Sequence, residues 1–155
     1  MTTMTSASNP ARNFVLTPIG HVRTPWSRDN CPKNMAAARE AGRAATLMID
    51  PPWRQGLTGL ERATHLILLG WFEADRDVLL QKPAHLAVAQ GCFALRTPAR
   101  PNPIGVSIVR RSSLGLAAGL ITVDALDWFD GTALLDIKPY YSTTDLHPDA
   151  HVQEP

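Results

Sequence analysis

Residues 65–72 read HLILLGWF. Within them, Leu66 to Phe72 is a seven-residue apolar run that includes Gly70. A membrane-crossing helix needs roughly 20 such residues. A run this short and this apolar is read as a central β-strand buried on both sides. Upstream, Thr58 with Glu61 three residues on has the form of a capping box for one helical turn. Before that, Thr46 to Ile49 is a short strand ended by Pro51-Pro52, and Met35 to Ala45 is a short helix weakened by Gly42. Trp26 to Asn34 is a loop, and Phe14 to Arg23 is a strand closed by Thr-Pro. Downstream, Asp75 to Gln81 offers one or two helical turns. Short strands follow at 85–88, 91–95, 106–110, 120–126 and 134–137, the last ending at Lys138-Pro139. Arg96 to Gly105 holds three prolines and is irregular. Seven or eight short strands with almost no long helix make the fold mainly β, a closed or nearly closed structure. Residues 1–13 and 146–155 are polar and aperiodic and are read as loose tails.

The 155 residues suit one domain of ordinary size. Lys plus Arg number 15 against 14 Asp plus Glu, which excludes a strongly basic tail and an acidic disordered chain. The charge is unevenly placed. Residues 1–72 carry eight bases and four acids, and residues 112–155 carry Lys138 alone against seven acids. With 10 Gly and 13 Pro the chain is too often broken for a helix bundle. Two cysteines, Cys31 and Cys92, allow one disulfide at most and no four-cysteine metal site. The first residues carry no apolar run, so no secretory signal is expected. The expected setting is cytoplasmic and reduced, with no membrane contact.

Several motifs are missing: the glycine fingerprint of dinucleotide folds, the phosphate-binding P-loop and the G-x-S-x-G elbow. His147 and His151 flank Pro148 in a tail, and the other histidines are scattered, so no metal is expected. Two segments carry chemistry. GCFALRTPARPNPIG at 91–105 leaves a strand, presents Arg96 and Arg100, and is stiffened by Pro98, Pro101 and Pro103. It is either a preorganised anion site or a stiff surface connection with solvated arginines. LDWFDGT at 126–132 sets Asp127 and Asp130 around two aromatics at a strand end. It is either an ordinary hairpin turn or a place for a ligand bearing a ribose, an amine or a cation.

Four strings go further: IGHVRTPW, GLERATHLILLGWF, GCFALRTPARPNPIGVSIV and DWFDGTALLDIKPY. In this order and spacing the chain, from about Pro18 to Tyr141, closely resembles the TsaA-like family, also called YaeB-like or tRNA methyltransferase O. The resemblance implies a single-sheeted β-barrel domain over residues 14–145, with few short helices. It implies binding of S-adenosylmethionine outside any Rossmann fold, without a metal. It implies a homodimer that methylates the amino nitrogen of N6-threonylcarbamoyladenosine in the tRNA anticodon loop. Carried over by position, the cofactor pocket is expected from Lys33, Asn34 and Met35, from Phe72 and Glu73, from Arg96, and from Leu126, Asp127, Trp128 and Phe129. Arg23, Arg28, Arg39, Arg43 and Arg100 are the expected tRNA contacts. Neither cysteine lies in a nucleophile motif, so no covalent intermediate is expected. The rivals are a module that binds the cofactor or a nucleotide without turnover, and a methyltransferase for a small molecule.

Overall fold

The computed structural model describes residues 13–153. The expected N-terminal tail therefore lies almost wholly outside the described residues, as do the last two residues of the C-terminal one. Six strands build the core: β1 (Gly20–Arg23), β2 (Ala45–Ile49), β3 (His65–Trp71), β6 (Ile104–Gly115), β7 (Leu120–Val123) and β8 (Ala133–Pro139). All pairings are antiparallel, and the order β1-β2-β7-β6-β3-β8 closes on itself as a barrel. The mainly β expectation is thus met. A second, two-stranded sheet was not expected: β4 (Leu80–Gln81) pairs with β5 (Gln90–Gly91) beside the barrel. The helices are short, α1 (Met35–Ala41) and α2 (Ser142–Asp145), and among the described residues none is long and apolar enough to cross a membrane.

Closure gives each strand an inner and an outer face. β3 obeys this and corrects the expectation of burial on both sides. Leu66 and Leu68 point into the core, whereas Ile67, Leu69 and Trp71 are half-buried outside. Val22, Leu47, Val109, Ile121 and Leu134 complete the interior. Trp128 is 2% exposed and plugs one end of it. Two glycines admit the aromatic rings there. A Cβ on Gly70 would stand 2.5 Å from the Trp128 ring, and one on Gly105 would overlap Phe72. The Trp128 and Phe72 rings meet edge to face, 5.4 Å apart at 84°.

Several boundaries move for physical reasons. Residues 14–18 are exposed and find no ladder partner, so β1 starts at Gly20. Helix α1 stops at Ala41, because Gly42 takes φ 64° and returns its N–H to Arg39 O. The capping box does not form: Thr58 Oγ1 donates back to Gln55 O at 2.9 Å, and Gly59 at φ 87° separates it from Glu61. The Asp75–Gln81 segment is not helical. Asp77 N donates to Asp75 Oδ1, and the segment ends in β4. Residues 85–88 form no strand, and 91–95 becomes the end of β5 plus a single 3₁₀ turn at Cys92–Ala94. Strand β7 stops at Val123, whereas β6 and β8 run longer than expected. The Asp130-Gly131 turn is present, with Gly131 at φ 82°. It does not close a hairpin, since β7 and β8 are not neighbours in the barrel.

Candidate functional site

The segment between β7 and β8 is threaded by anchors. Ala125, Leu126 and Trp128 are buried, while Asp127 and Phe129 between and beyond them face outward. Trp26 Nε1 donates to Leu126 O at 2.8 Å, and Thr24 Oγ1 donates to Trp128 O at 2.7 Å. Backbone positions are therefore fixed on both sides of Asp127. The proline-rich loop opposite is held by more than its rings. Arg76 Nε donates to Pro101 O, Gln81 Nε2 to Ala99 O, and Arg100 Nη1 to Leu95 O and Thr97 O. Phe72 N donates to Pro103 O at 2.8 Å, tying the loop to the end of β3.

Between these walls lies a cleft of about 830 Å³, a size suited to a small organic ligand. It brings together Lys33, Asn34, Met35, Phe72, Arg96, Asp127, Trp128 and Phe129, all expected from the sequence. A second lobe of about 560 Å³ shares Phe72 and residues 127–129 with it and adds Glu73. Leu126 lines neither lobe, because it belongs to the core. Asn34 has a structural duty as well: its side chain accepts from Ala37 N at 2.9 Å and caps α1. Arg96 reaches across the cleft and donates to Val106 O at 2.8 Å.

The expected RNA contacts separate. Arg28 sits at the mouth of both lobes, its guanidinium 5.9 Å from the Phe129 ring centre. Arg23 and Arg43 line an open hollow on the far side of Asp130. Arg23 pairs with Asp130 at 3.4 Å, and Arg43 lies 5.6 Å from the Trp26 ring centre. Arg100 spends its guanidinium inside its own loop. Arg39 donates to Ile108 O at 2.8 Å and lines neither lobe.

Burial pushes the Asp127 carboxyl up from its ordinary range. Its own backbone N–H, the Ser107 hydroxyl, Arg96 and Arg39 pull it partly back. Cys31 Sγ donates to Asp127 O at 3.2 Å, and its thiol is pushed up to about 11 by burial first and by the Asp127 charge second. Sequence reasoning missed Ser107 and Cys31 in this wall. Ser107 carried no clear signal in the sequence: it lies on the inward face of β6 with Gly105 and Val109, while the apolar Ile104, Val106 and Ile108 face out.

The arrangement is a two-lobed cleft lined by aromatic rings, a carboxylate and cationic side chains. The family model for the tRNA-methyltransferase O N-terminal domain matches residues 21–146. The chain belongs to that family. Among relatives of this tRNA-methyltransferase O family, a "Probable S-adenosyl-L-methionine-binding protein VirR" of Rhizobium radiobacter is 44% identical over 123 residues, covering 78% of this chain and 67% of the relative. A "Putative S-adenosylmethionine-dependent methyltransferase RcsF" of Pseudomonas aeruginosa is 36% identical over 142 residues, covering 87% of this chain and 60% of the relative. A crystal structure of TrmO from Pseudomonas aeruginosa superposes with a TM-score of 0.72 at 33% identity, covering 90% of this chain and 60% of that one. The chain thus spans between about half and two-thirds of the length of that relative and that structure.

Proposed function

We propose that the chain binds S-adenosylmethionine in the larger lobe and transfers its methyl group to N6-threonylcarbamoyladenosine in a tRNA anticodon loop. The observation that carries this reading is a preformed cleft lined by both Asp127 and Arg96, in a chain of the tRNA-methyltransferase O family. The donor set fits the cofactor. A half-buried carboxylate suits its ammonium, sulfonium or ribose hydroxyls, the Arg96 and Lys33 cations suit its carboxylate, and the Phe72 and Phe129 faces suit its base. When bound, S-adenosylmethionine supplies an activated methyl group for in-line displacement. The protein's part is positioning, an effect that can reach about 7–11 kcal/mol. The Phe72 and Trp128 rings are held by their mutual edge-to-face contact, and the 96–103 loop is pinned by Arg76, Gln81, Arg100 and the Phe72 N–H.

The test is transfer of radiolabelled methyl into bulk tRNA from a strain lacking the activity, followed by nucleoside mass spectrometry. Label in the threonylcarbamoyl nucleoside is expected. The rival reading of a pure binding module draws on the relatives named only for binding. Stoichiometric binding with no transfer to any RNA would establish it instead, and transfer to metabolites alone would favour a small-molecule acceptor. Arg96→Ala and Asp127→Ala are each expected to weaken cofactor binding about ten- to hundredfold, as for loss of a charged hydrogen-bond partner. Calorimetry with unchanged affinity in both folded variants would remove them from the site.

For the RNA, the proposed contacts are Arg23, Arg28, Arg39, Arg43 and Arg100, with Lys33; Arg39 and Arg100 each also donate to backbone carbonyls. Each single-strand phosphate they neutralise adds about −0.7 to the slope of log affinity against log salt. A flat salt dependence would reject this surface. A homodimer also belongs to the reading. Trp26 and Trp128 are buried, but Leu79, Leu80, Val88 and Phe93 stand exposed around the small sheet, and Phe93 lines the cleft. An apolar patch of that kind marks a contact surface. A single species of monomer mass in sedimentation at micromolar concentration would exclude it.

A further inference from the structure

Ser107 is the one buried polar residue among the described residues, 4% exposed on the inner face of β6. Two hydrogen bonds meet at its hydroxyl. Trp128 Nε1 donates to Ser107 Oγ at 3.0 Å, and Ser107 Oγ lies 3.2 Å from Asp127 Oδ1. An indole N–H only donates, so the serine oxygen is its acceptor and the serine proton is left for the carboxylate. The direction of the chain is fixed at its root, because Trp128 is wedged against Phe72 and Gly70. We propose that Ser107 is a positioning residue, which takes its orientation from the Trp128 indole and holds the Asp127 carboxylate aimed into the cleft.

The other groups around Asp127 would not do this. Arg96 faces it from the proline-rich loop and Arg39 from α1, and both act on its charge without a hydrogen bond to it. Cys31, from the loop before α1, bonds its backbone oxygen and leaves the carboxylate alone. Arg39 is also drawn towards Asp124, 3.9 Å away. Without the hydroxyl, the carboxylate keeps only its own backbone N–H as a hydrogen-bond donor and has two cations to turn towards. The ionised form also loses a stabilising hydrogen bond, so the carboxyl rises further from its ordinary range. Binding that needs the ionised carboxylate is then lost at a higher pH on acidification.

This inference rests on the reading that Asp127 holds the cofactor, and the experiment separates the two. S-adenosylmethionine binding is followed by calorimetry from pH 5 to 8.5 for the full chain, Asp127→Ala, Ser107→Ala and Ser107→Thr, with circular dichroism as the fold control. Ser107→Ala is expected to bind about tenfold more weakly at neutral pH. Its acid midpoint should move upward, and Ser107→Thr, which keeps the hydroxyl, should restore both. Ser107→Cys, a weaker donor of similar size, replaces the alanine variant if that one fails to fold, with the same upward midpoint expected. A wild-type midpoint in the alanine or cysteine variant, with Asp127→Ala weakened, would overturn the role of Ser107 alone. Wild-type affinity in Asp127→Ala would instead sink the cofactor role of Asp127, and this inference with it.

Discussion

Trp128→Ala is expected to lower the unfolding free energy by about 3–5 kcal/mol, the usual range for emptying a buried aromatic site. The ring is 2% exposed, packs edge to face on Phe72, and fills the space that Gly70 leaves open. None of these neighbours can follow it inward, because both lie on the paired β3 wall or at its end. For a domain of this size each kcal/mol moves the melting midpoint by about 2–4 °C, so calorimetry should show a fall of roughly 6–20 °C. Trp128→Phe should lose less, since it keeps an aromatic ring and gives up mainly the bond to Ser107. A fall in the alanine variant corresponding to under about 1 kcal/mol would mean that the barrel end collapses around the gap.

Gly20→Ala is expected to match or exceed the costs of core overpacking, about 1–3 kcal/mol. A Cβ there would overlap the Met48 carbonyl oxygen, and that oxygen is backbone within the β1–β2 pair. A flexible side chain could turn away, whereas a paired main chain must part. Two other glycines provide the comparison. Gly56 faces open space, so Gly56→Ala should be close to neutral. Gly42 also faces open space but has φ 64°, so Gly42→Ala should cost only the left-handed strain of about 1–2 kcal/mol. Urea midpoints for the three variants decide the order. Gly20→Ala falling level with Gly56→Ala would show that β1 shifts freely on β2.

The parts of this fold that were legible in the sequence are those set by local rules. Apolar runs and alternation marked the six barrel strands, although β1 starts six residues later and β6 ends five residues later than expected, and the prolines of 96–105 marked an irregular loop. The errors came from partners distant in sequence or from one backbone angle. Leu80 pairs with Gly91, a contact that no local pattern in Asp75–Gln81 announces. Thr58 and Glu61 have capping-box spacing, yet Gly59 turns the chain between them. In the site, Asp127 and Arg96 stood out as charges beside rigid turns. Ser107 did not, because β6 runs in inverted phase at that end. Its apolar Ile104, Val106 and Ile108 point outward, while Gly105 and Ser107 point inward towards rings supplied by Phe72 and Trp128. A reading that puts apolar residues inside assigns the wrong face there.

The Cys31 thiol has a chemical consequence for a pocket of this kind. A methyl sulfonium is an electrophile, and a thiolate is the softest nucleophile a protein can set in a pocket wall. An ordinary cysteine is a few per cent thiolate near neutrality, but with its acidity pushed up to about 11 Cys31 holds under about a thousandth in that form. The burial and the neighbouring Asp127 charge that cause this belong to the same wall that is proposed to hold the ligand. With the proposed cofactor in that cleft, a thiol held protonated would resist methylation, and Cys31 is expected to react only sluggishly with iodoacetamide at neutral pH.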